Sequence, residues 1–480
     1  MSLTDGSGDV LVTNTERFHT SVGVAIRSKD MSSNPPQILV QTGSGFTQVT
    51  GAPHAGGYRF TGVPQGEFYL KTGNTYVITD ERHIEVGTDR LGREDTVFSS
   101  QYDVPVSLSL TNLSPWQDRV AYTAGSRIQL VSRQLDVAAD VDFDTYIAPG
   151  QTELGNAPGY AYNLPNTFPA FQYGKGDRLY VNQLTDIHGD LLPSGGRLVS
   201  ETIVRSLELP AIEYDPAWAL PLNISGALQP VPTSDFSLEW RLGDYISHAQ
   251  DIHPDAEPNT SQFYVHPAAH GPTASWVGYS GEALRFVLPV GASYTLTDDL
   301  TYGNPYPSTW RMVSHANYSF RTLEVPPGGS GGTPRGLSGN ISSADYLENL
   351  VAAPIVPKLT PVRALAIDGL SATTQRGVSN TSPTISWQPP ATGAPNAYRV
   401  SLQRLNTSNY ILMPQAHFLL PGTASEVRIP TGLLASNATY AVKVTALDSP
   451  NSEVTCKPFT LFQDLPYHVA DTLSSFFTTP

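Results

Sequence analysis

Apolar residues in this chain recur at every second position, in runs too short for helices. Val104, Val106, Leu108 and Leu110 alternate with polar or small residues over 104–110. Phe236, Leu238, Trp240 and Leu242 repeat the pattern over 236–242, and the stretch 177–184 repeats it less regularly. Short apolar runs of strand length lie at 10–12, 22–26 and 38–40, and another at 284–290 is closed by Pro289. A period of two puts one face of a strand into a core and the other into solvent, the signature of antiparallel sheet. No stretch sustains a helical period. The one short exception is 343–351, where Ala344, Leu347 and Leu350 are helically spaced. The expectation is an all-β chain of several antiparallel β-sandwich domains in series.

Composition agrees. Among 480 residues there are 40 Gly and 40 Pro, and charged residues are only 15%. Many turns between short strands need that balance, and helical bundles do not. The length suits roughly three or four domains. The divisions expected are a β-sandwich over 1–98, a β-rich region over 99–325 that is either one domain or two with a break near 206–228, a Gly/Pro-rich linker over 326–358, and a last domain over 359–480. The linker is read from Pro326–Pro334, which has few side chains to bury.

The net charge of -15 opposes binding to nucleic acid or anionic lipid, and there is no basic patch interleaved with aromatics. No apolar run reaches the roughly 18–20 residues of a membrane-spanning helix. The single cysteine, Cys456, excludes an internal disulfide and is expected to be an idle thiol. The first residues have neither the basic region nor the apolar core of a signal peptide. Two localisations follow: extracellular or cell surface with a leader absent from this chain, or cytoplasmic. Six lysines against 22 arginines point to a GC-rich bacterial genome.

Two stretches resemble known families. Tyr58 and Phe60 alternate with polar residues, a Gly-Val-Pro-Gln-Gly turn follows, and Phe68 and Leu70 share a face. Read locally this is a β-hairpin. The pattern resembles the carboxypeptidase-regulatory-like (transthyretin-like) sandwich, although Glu67 and Phe68 depart from that family's usual Thr or Ser and Tyr. The resemblance implies a non-catalytic fold. In the last domain Ile385 and Trp387 share a strand face, then Tyr398, Val400 and Leu402, then Val427 and Ile429, then Tyr440, Val442 and Val444. Trp387, Tyr398 and the pair Leu433 and Tyr440, read as a tyrosine corner, make 359–480 similar to a fibronectin type III domain. That resemblance implies a seven-stranded binding or spacer module closed by Phe476 and Phe477. The domain is long for the family. The excess is read as an insertion over 448–473, whose Phe459, Leu461, Phe462, Leu465, Tyr467 and Val469 are too apolar for a solvated loop and suggest a dock on a neighbour.

Candidate chemistry is sparse. His248, Asp251, His253, Asp255 and Glu257, with His266 and His270 beyond, are residue types that ligate zinc or calcium, but no metal motif orders them and Pro254 suits a solvated loop. Asp136, Asp140, Asp142 and Asp144 place three carboxylates on one strand face, which suits calcium, a glycosidase pair or plain solvation. Trp116, Trp218, Trp276, Tyr279 and Trp310 suit either a core or a sugar-stacking platform. The glycine run lacks the Lys-Ser/Thr of a phosphate loop. No catalytic, cofactor or metal residue is therefore assigned.

The functional expectation is a non-enzymatic, multidomain, cell-surface or secreted bacterial protein that binds or spaces, with a protein or glycan partner. The alternatives are a carbohydrate-active enzyme with its catalytic domain in 99–325, and a structural component of a surface assembly.

Overall fold

A computed structural model describes residues 8–43, 45–120, 123–163, 167–269, 281–327, 334–406, 408–460 and 464–480. The chain is all-β, as its period-two patterning requires, and the described residues include one helix longer than two turns.

The first unit is a β-sandwich. Val10–Thr13 pairs with Gly57–Phe60 and His83–Glu85 in one sheet, and Phe68–Thr72 pairs with Gln37–Thr42 and Thr75–Thr79 in another. Val10, Val12, Ile38, Phe60, Phe68, Leu70 and Val77 fill the space between them. The stretch read as a hairpin is therefore not one. Gly57–Phe60 and Phe68–Thr72 belong to different sheets, so 61–67 joins the two layers, with Val63 buried on the way. The alternation of Tyr58, Phe60, Phe68 and Leu70 shows which side faces the core and is silent on which strand lies alongside.

The second unit is a barrel. Asp103–Thr111 pairs with Leu154–Tyr162, which pairs with Val137–Phe143, then Arg127–Ser132, Leu179–Leu191 and Arg197–Leu209. Leu222–Ala227 returns parallel to Asp103–Thr111, and Gln229–Pro230 just beyond pairs with Arg197–Leu209. The pairings thus close a ring. Val104, Val106, Leu108 and Leu110 point inward with Ile128, Leu130, Val181 and Ile224. Closure removes the free edges that would otherwise template aggregation.

The third unit packs the pair Thr233–Arg241 and Thr295–Gly303 against a sheet of Leu284–Leu288, Ser261–Ala268, Arg311–Glu324 and Arg335–Tyr346. Trp240, Tyr245, Phe263, Phe286, Tyr318 and Phe320 make the core. Two expectations are corrected here. Leu242–Ile252 is an α-helix, although no helix was expected there. Its buried residues Leu242, Tyr245, Ile246 and Ala249 follow helical spacing, but the preceding strand's alternation runs straight into Leu242 and disguises the change of period. Residues 335–346, placed in the linker, form a strand paired with Arg311–Glu324 from Glu324↔Arg335 to Val313↔Tyr346. The Gly-rich stretch connects two partners of one ladder, and the helix expected over 343–351 shrinks to Leu347–Leu350.

The last unit has the two sheets expected of a fibronectin type III sandwich. Arg363–Ile367, Thr384–Gln388 and Glu426–Arg428 form one, and Ile411–Pro421, Ala397–Asn406, Thr439–Asp448 and Tyr467–Leu473 the other. The tyrosine corner is present. Tyr440 is fully buried, and its hydroxyl accepts from the Ala435 N–H at 2.9 Å. Leu434 is the buried leucine of the corner, and Leu433 only packs against the core. Trp387 meets Tyr398 edge to face at 5.3 Å. The closing strand starts earlier than the sequence suggests, because Tyr467–Leu473 already pairs with Thr439–Asp448. The insertion therefore ends before Tyr467. Val454 is buried in the core of the first sandwich, Phe459 packs against that core, and the Glu85 N–H donates to the Cys456 carbonyl at 2.7 Å. The dock is thus on the first unit. Leu461 and Phe462 lie outside the described residues.

These units share sheets. Arg197–Leu209 of the barrel also pairs with Leu284–Leu288 of the third unit. Arg335–Tyr346 pairs with Tyr467–Leu473 of the last unit. Thr75–Thr79 of the first unit pairs in parallel with Ile411–Pro421 of the last. On that joint strand Tyr76 and Ile78 enter the last unit's core while Val77 enters the first unit's. Tyr76 stacks on Phe418 at 5.0 Å, and the Tyr69 hydroxyl accepts from the Arg428 N–H at 3.3 Å. The accessible surface is 20514 Å². Four separate domains of this total mass would expose about 25,000 Å², and one ideally compact body about 17,000 Å². The observed value requires extensive burial between units.

Candidate functional site

A cleft of about 870 Å³ lies where the barrel meets the third unit. Its floor follows from strand register. Asp186 stands opposite Glu201, and Glu201 opposite Arg285, so these three occupy one cross-strand row. Arg127 comes from the neighbouring barrel strand, and Asp140 and Asp142 from the one beyond. Trp116 and Phe143, edge to face at 5.9 Å, flank the floor.

Arg127 is the electrostatic centre. Its Nε donates to Glu201 Oε2 at 2.7 Å, Nη1 to Asp140 and Nη2 to Glu282. Burial works to lower the pKa of Arg127, but the three carboxylates raise it well above its ordinary value. Burial also raises the pKa of Glu201 from its ordinary value, against the pull of Arg127. Asp186 accepts from the Gly125 N–H through Oδ2 at 2.7 Å, and its other oxygen is buried without a hydrogen-bond partner.

The sequence candidates scatter differently. Asp140 and Asp142 reach the cleft, while Asp136 occupies a turn with positive φ before Val137–Phe143. The His/Asp segment is not one site. His248 and Asp251 lie on the helix, beside a pocket of about 330 Å³ against Thr360 and Arg363 of the last unit. His253 is buried, 3.5 Å from Ser475 Oγ and 3.6 Å from Glu324. Glu257 pairs with Arg321 at 2.8 Å, and Asp255 is exposed. Among the described residues no group of three or more His, Cys, Asp or Glu could hold a metal ion. Of the aromatics, Trp116 reaches the cleft, Trp310 stacks on Tyr306 at 5.0 Å, and Trp218 is exposed. His270, Trp276 and Tyr279 lie outside the described residues. Burial pushes the Cys456 thiol up to about 11, with Glu453 adding to it, which keeps it protonated and unreactive. Sequence reasoning missed Arg127, Asp186, Glu201, Glu282 and Arg285, because no spacing motif links positions so far apart.

The buried histidines carry a pH dependence. His266 donates from Nδ1 to the Gly281 carbonyl at 2.9 Å and meets His315 edge to face at 5.6 Å. Burial lowers the pKa of both, His315 to about 3 with a further push from His266. Below the ordinary value of 6.5 the unfolded chain takes up protons that the folded chain refuses. The stability held above that pH is therefore lost as pH falls from 6.5 towards 3. For His315 this amounts to about 1.4 kcal/mol per pH unit in that window, and His266 acts in the same direction. Urea titrations at pH 7 and pH 5 are expected to differ by about 2 kcal/mol or more, with most of the slope removed in a His266→Asn, His315→Asn double variant. Equal stability at the two pH values would contradict this.

No family model and no curated protein matches the chain. Among solved structures it is similar to the FN1–FN3 domains of chicken CNTN1, at 8% identity over 79% of this chain and 97% of that chain, with a TM-score of 0.16. Trypsin-activated alpha-2-macroglobulin from Escherichia coli is matched at 11% identity over 98% of this chain and 41% of that one, with a TM-score of 0.16. A Streptococcal ancillary pilin is matched at 10% identity over 69% and 95%, with a TM-score of 0.13. The all-β assignment and the sandwich topology rest on the strand pairings themselves.

Proposed function

We propose that the chain is a non-enzymatic binding module of a cell-surface or secreted bacterial protein, with the cleft between barrel and third unit as its recognition site for a protein or glycan. The first sandwich is read as carboxypeptidase-regulatory-like and, with the last unit, serves as a scaffold. The observation that carries the reading is the Arg127 network. Asp140, Glu201 and Glu282 all bond to one guanidinium, so the cleft presents fixed polar groups with an excess of carboxylates on walls from two packed units. Such preorganised polar groups beside aromatic walls suit recognition. Hydrolysis of a glycosidic bond needs one carboxyl free to donate a proton and another free to attack or activate water.

The enzyme alternative has one observation in its favour: a concave cleft in the middle region that contains a carboxyl, Glu201, with a raised pKa. Two assays separate the readings. The whole chain, incubated with a panel of plant and microbial polysaccharides, is expected to release no reducing ends above buffer. Probed on arrays of oligosaccharides and of peptides, it is expected to bind members of at least one class. Release of reducing ends that Glu201→Gln abolishes, or binding to neither array, overturns the proposal.

A further inference from the structure

The cleft floor has a feature that narrows the ligand class. Asp186 is 94% buried, and its Oδ1 has no hydrogen-bond partner although Oδ2 is satisfied by Gly125. Two strands away in the same cross-strand row, the Nε–H of Arg285 is also buried and without a partner, while its guanidinium lies over the Tyr264 ring at 5.7 Å. An orphaned buried polar group costs about 1–3 kcal/mol, more when charged. A cleft with one such acceptor and one such donor, on either side of Glu201, holds a standing demand for a ligand that offers both.

That demand discriminates. A metal cation would satisfy Asp186 and repel Arg285. A phosphate or carboxylate would do the reverse. Hydroxyl groups donate and accept at once, so a ligand with several hydroxyls on a rigid frame meets both needs. The barrel face that continues from the cleft adds a second observation. On the outer face of the barrel Asp142 stands opposite Tyr160, and Asp140 opposite Tyr162. Both tyrosines are exposed, at 40% and 38%. Tyrosine rings interleaved with carboxylates offer an apolar face for stacking and acceptors for hydroxyl groups. We infer that the cleft binds a carbohydrate chain, with Asp186 and Arg285 bonding its hydroxyls at the floor and Tyr160 and Tyr162 stacking against sugar rings where the chain runs out over the adjoining barrel face. This rests on the binding reading above and narrows it from protein or glycan to glycan.

The test uses the whole chain and two charge-removing variants, the isosteric Asp186→Asn and the shorter, polar Arg285→Gln, on an array of neutral hexasaccharides (cello-, chito-, manno- and xylo-series) and on a peptide array in parallel. Asparagine retains an oxygen for Gly125, and unchanged melting temperatures verify the fold. Tyr160→Ala, at an exposed position, gives a variant that folding does not confound. The expected result is binding to one or more hexasaccharides, weakened tenfold or more by each floor variant and several-fold by Tyr160→Ala. Peptide binding lost in the same variants, with no oligosaccharide bound, overturns the carbohydrate assignment and leaves the binding reading intact. Binding to neither array overturns both. Oligosaccharide binding unchanged in all three variants overturns this site.

Discussion

Phe418→Ala is expected to destabilise the whole chain by about 3–5 kcal/mol, the range for removing a fully buried phenylalanine. Phe418 has no exposed surface and stacks on Tyr76 of the first unit, so the truncation opens a cavity where two units share one sheet. The loss has a spatial signature. Thr75–Thr79 is held to Ile411–Pro421 by only three paired positions, His417↔Thr75, Phe418↔Tyr76 and Leu419↔Val77, and Phe418 is the middle one. Limited proteolysis of the variant should therefore cut first within residues 8–98, well before the last unit is attacked. Ile411→Ala on the same strand, at a position 53% exposed, is the control and should fall within about 0.5 kcal/mol of the parent. Urea denaturation measures both. A Phe418→Ala variant no weaker than Ile411→Ala would mean that the two sandwiches fold and stand independently.

Arg127→Ala should be as damaging, by a different route. Removing the guanidinium leaves Glu201 and Glu282 next to one another without their common partner, and stranding buried charge in this way costs about 3–5 kcal/mol. The sign of the pH dependence identifies the cause. Glu201 already has a pKa raised by burial, and loss of Arg127 removes the largest influence that lowers it. A group whose folded-state pKa lies above its unfolded value contributes stability that is complete below the unfolded value, 4.5 here, and disappears as pH rises through the folded value. The variant's deficit should thus be larger at pH 8 than at pH 5, opposite in direction to the acid sensitivity that the buried histidines give the parent. Paired urea titrations of parent and variant at the two pH values isolate the difference. A deficit that does not depend on pH would assign the loss to packing of the arginine stem.

The sequence was informative wherever one strand's own alternation decides the outcome. Val104, Val106, Leu108 and Leu110 enter the barrel interior as their spacing requires, and Tyr440 makes the corner bond its context implies. It was uninformative wherever the outcome depends on which strand lies alongside. Tyr58, Phe60, Phe68 and Leu70 read as a hairpin, yet the two strands belong to opposite sheets, because period two reports a face and carries no information about the neighbour. The stretch 326–358 reads as a linker because its Gly and Pro residues bury little, but 335–346 within it pairs with the strand before it from Glu324↔Arg335 to Val313↔Tyr346. The site was the least legible part. Asp140 and Asp142 were visible as a carboxylate face, but Arg127, Glu201, Glu282 and Arg285 converge only through a ladder of non-local pairings. The helix Leu242–Ile252 was legible in principle, since its buried residues keep helical spacing. Its polar face, with His248 and Asp251, drew attention towards metal chemistry instead.

The central claim is that the four units form one body, joined by shared sheets and closed by the pairing of the first unit with the last. Small-angle X-ray scattering of the monomer tests it directly. A single compact body of 480 residues has a radius of gyration of roughly 23 Å, and the somewhat larger exposed surface observed here allows a value up to about 30 Å. A value in that range, unchanged on dilution and with salt, is the expected result. A radius above roughly 35 Å, the size of four such domains strung end to end, would contradict the shared-sheet architecture and with it a cleft built from two units.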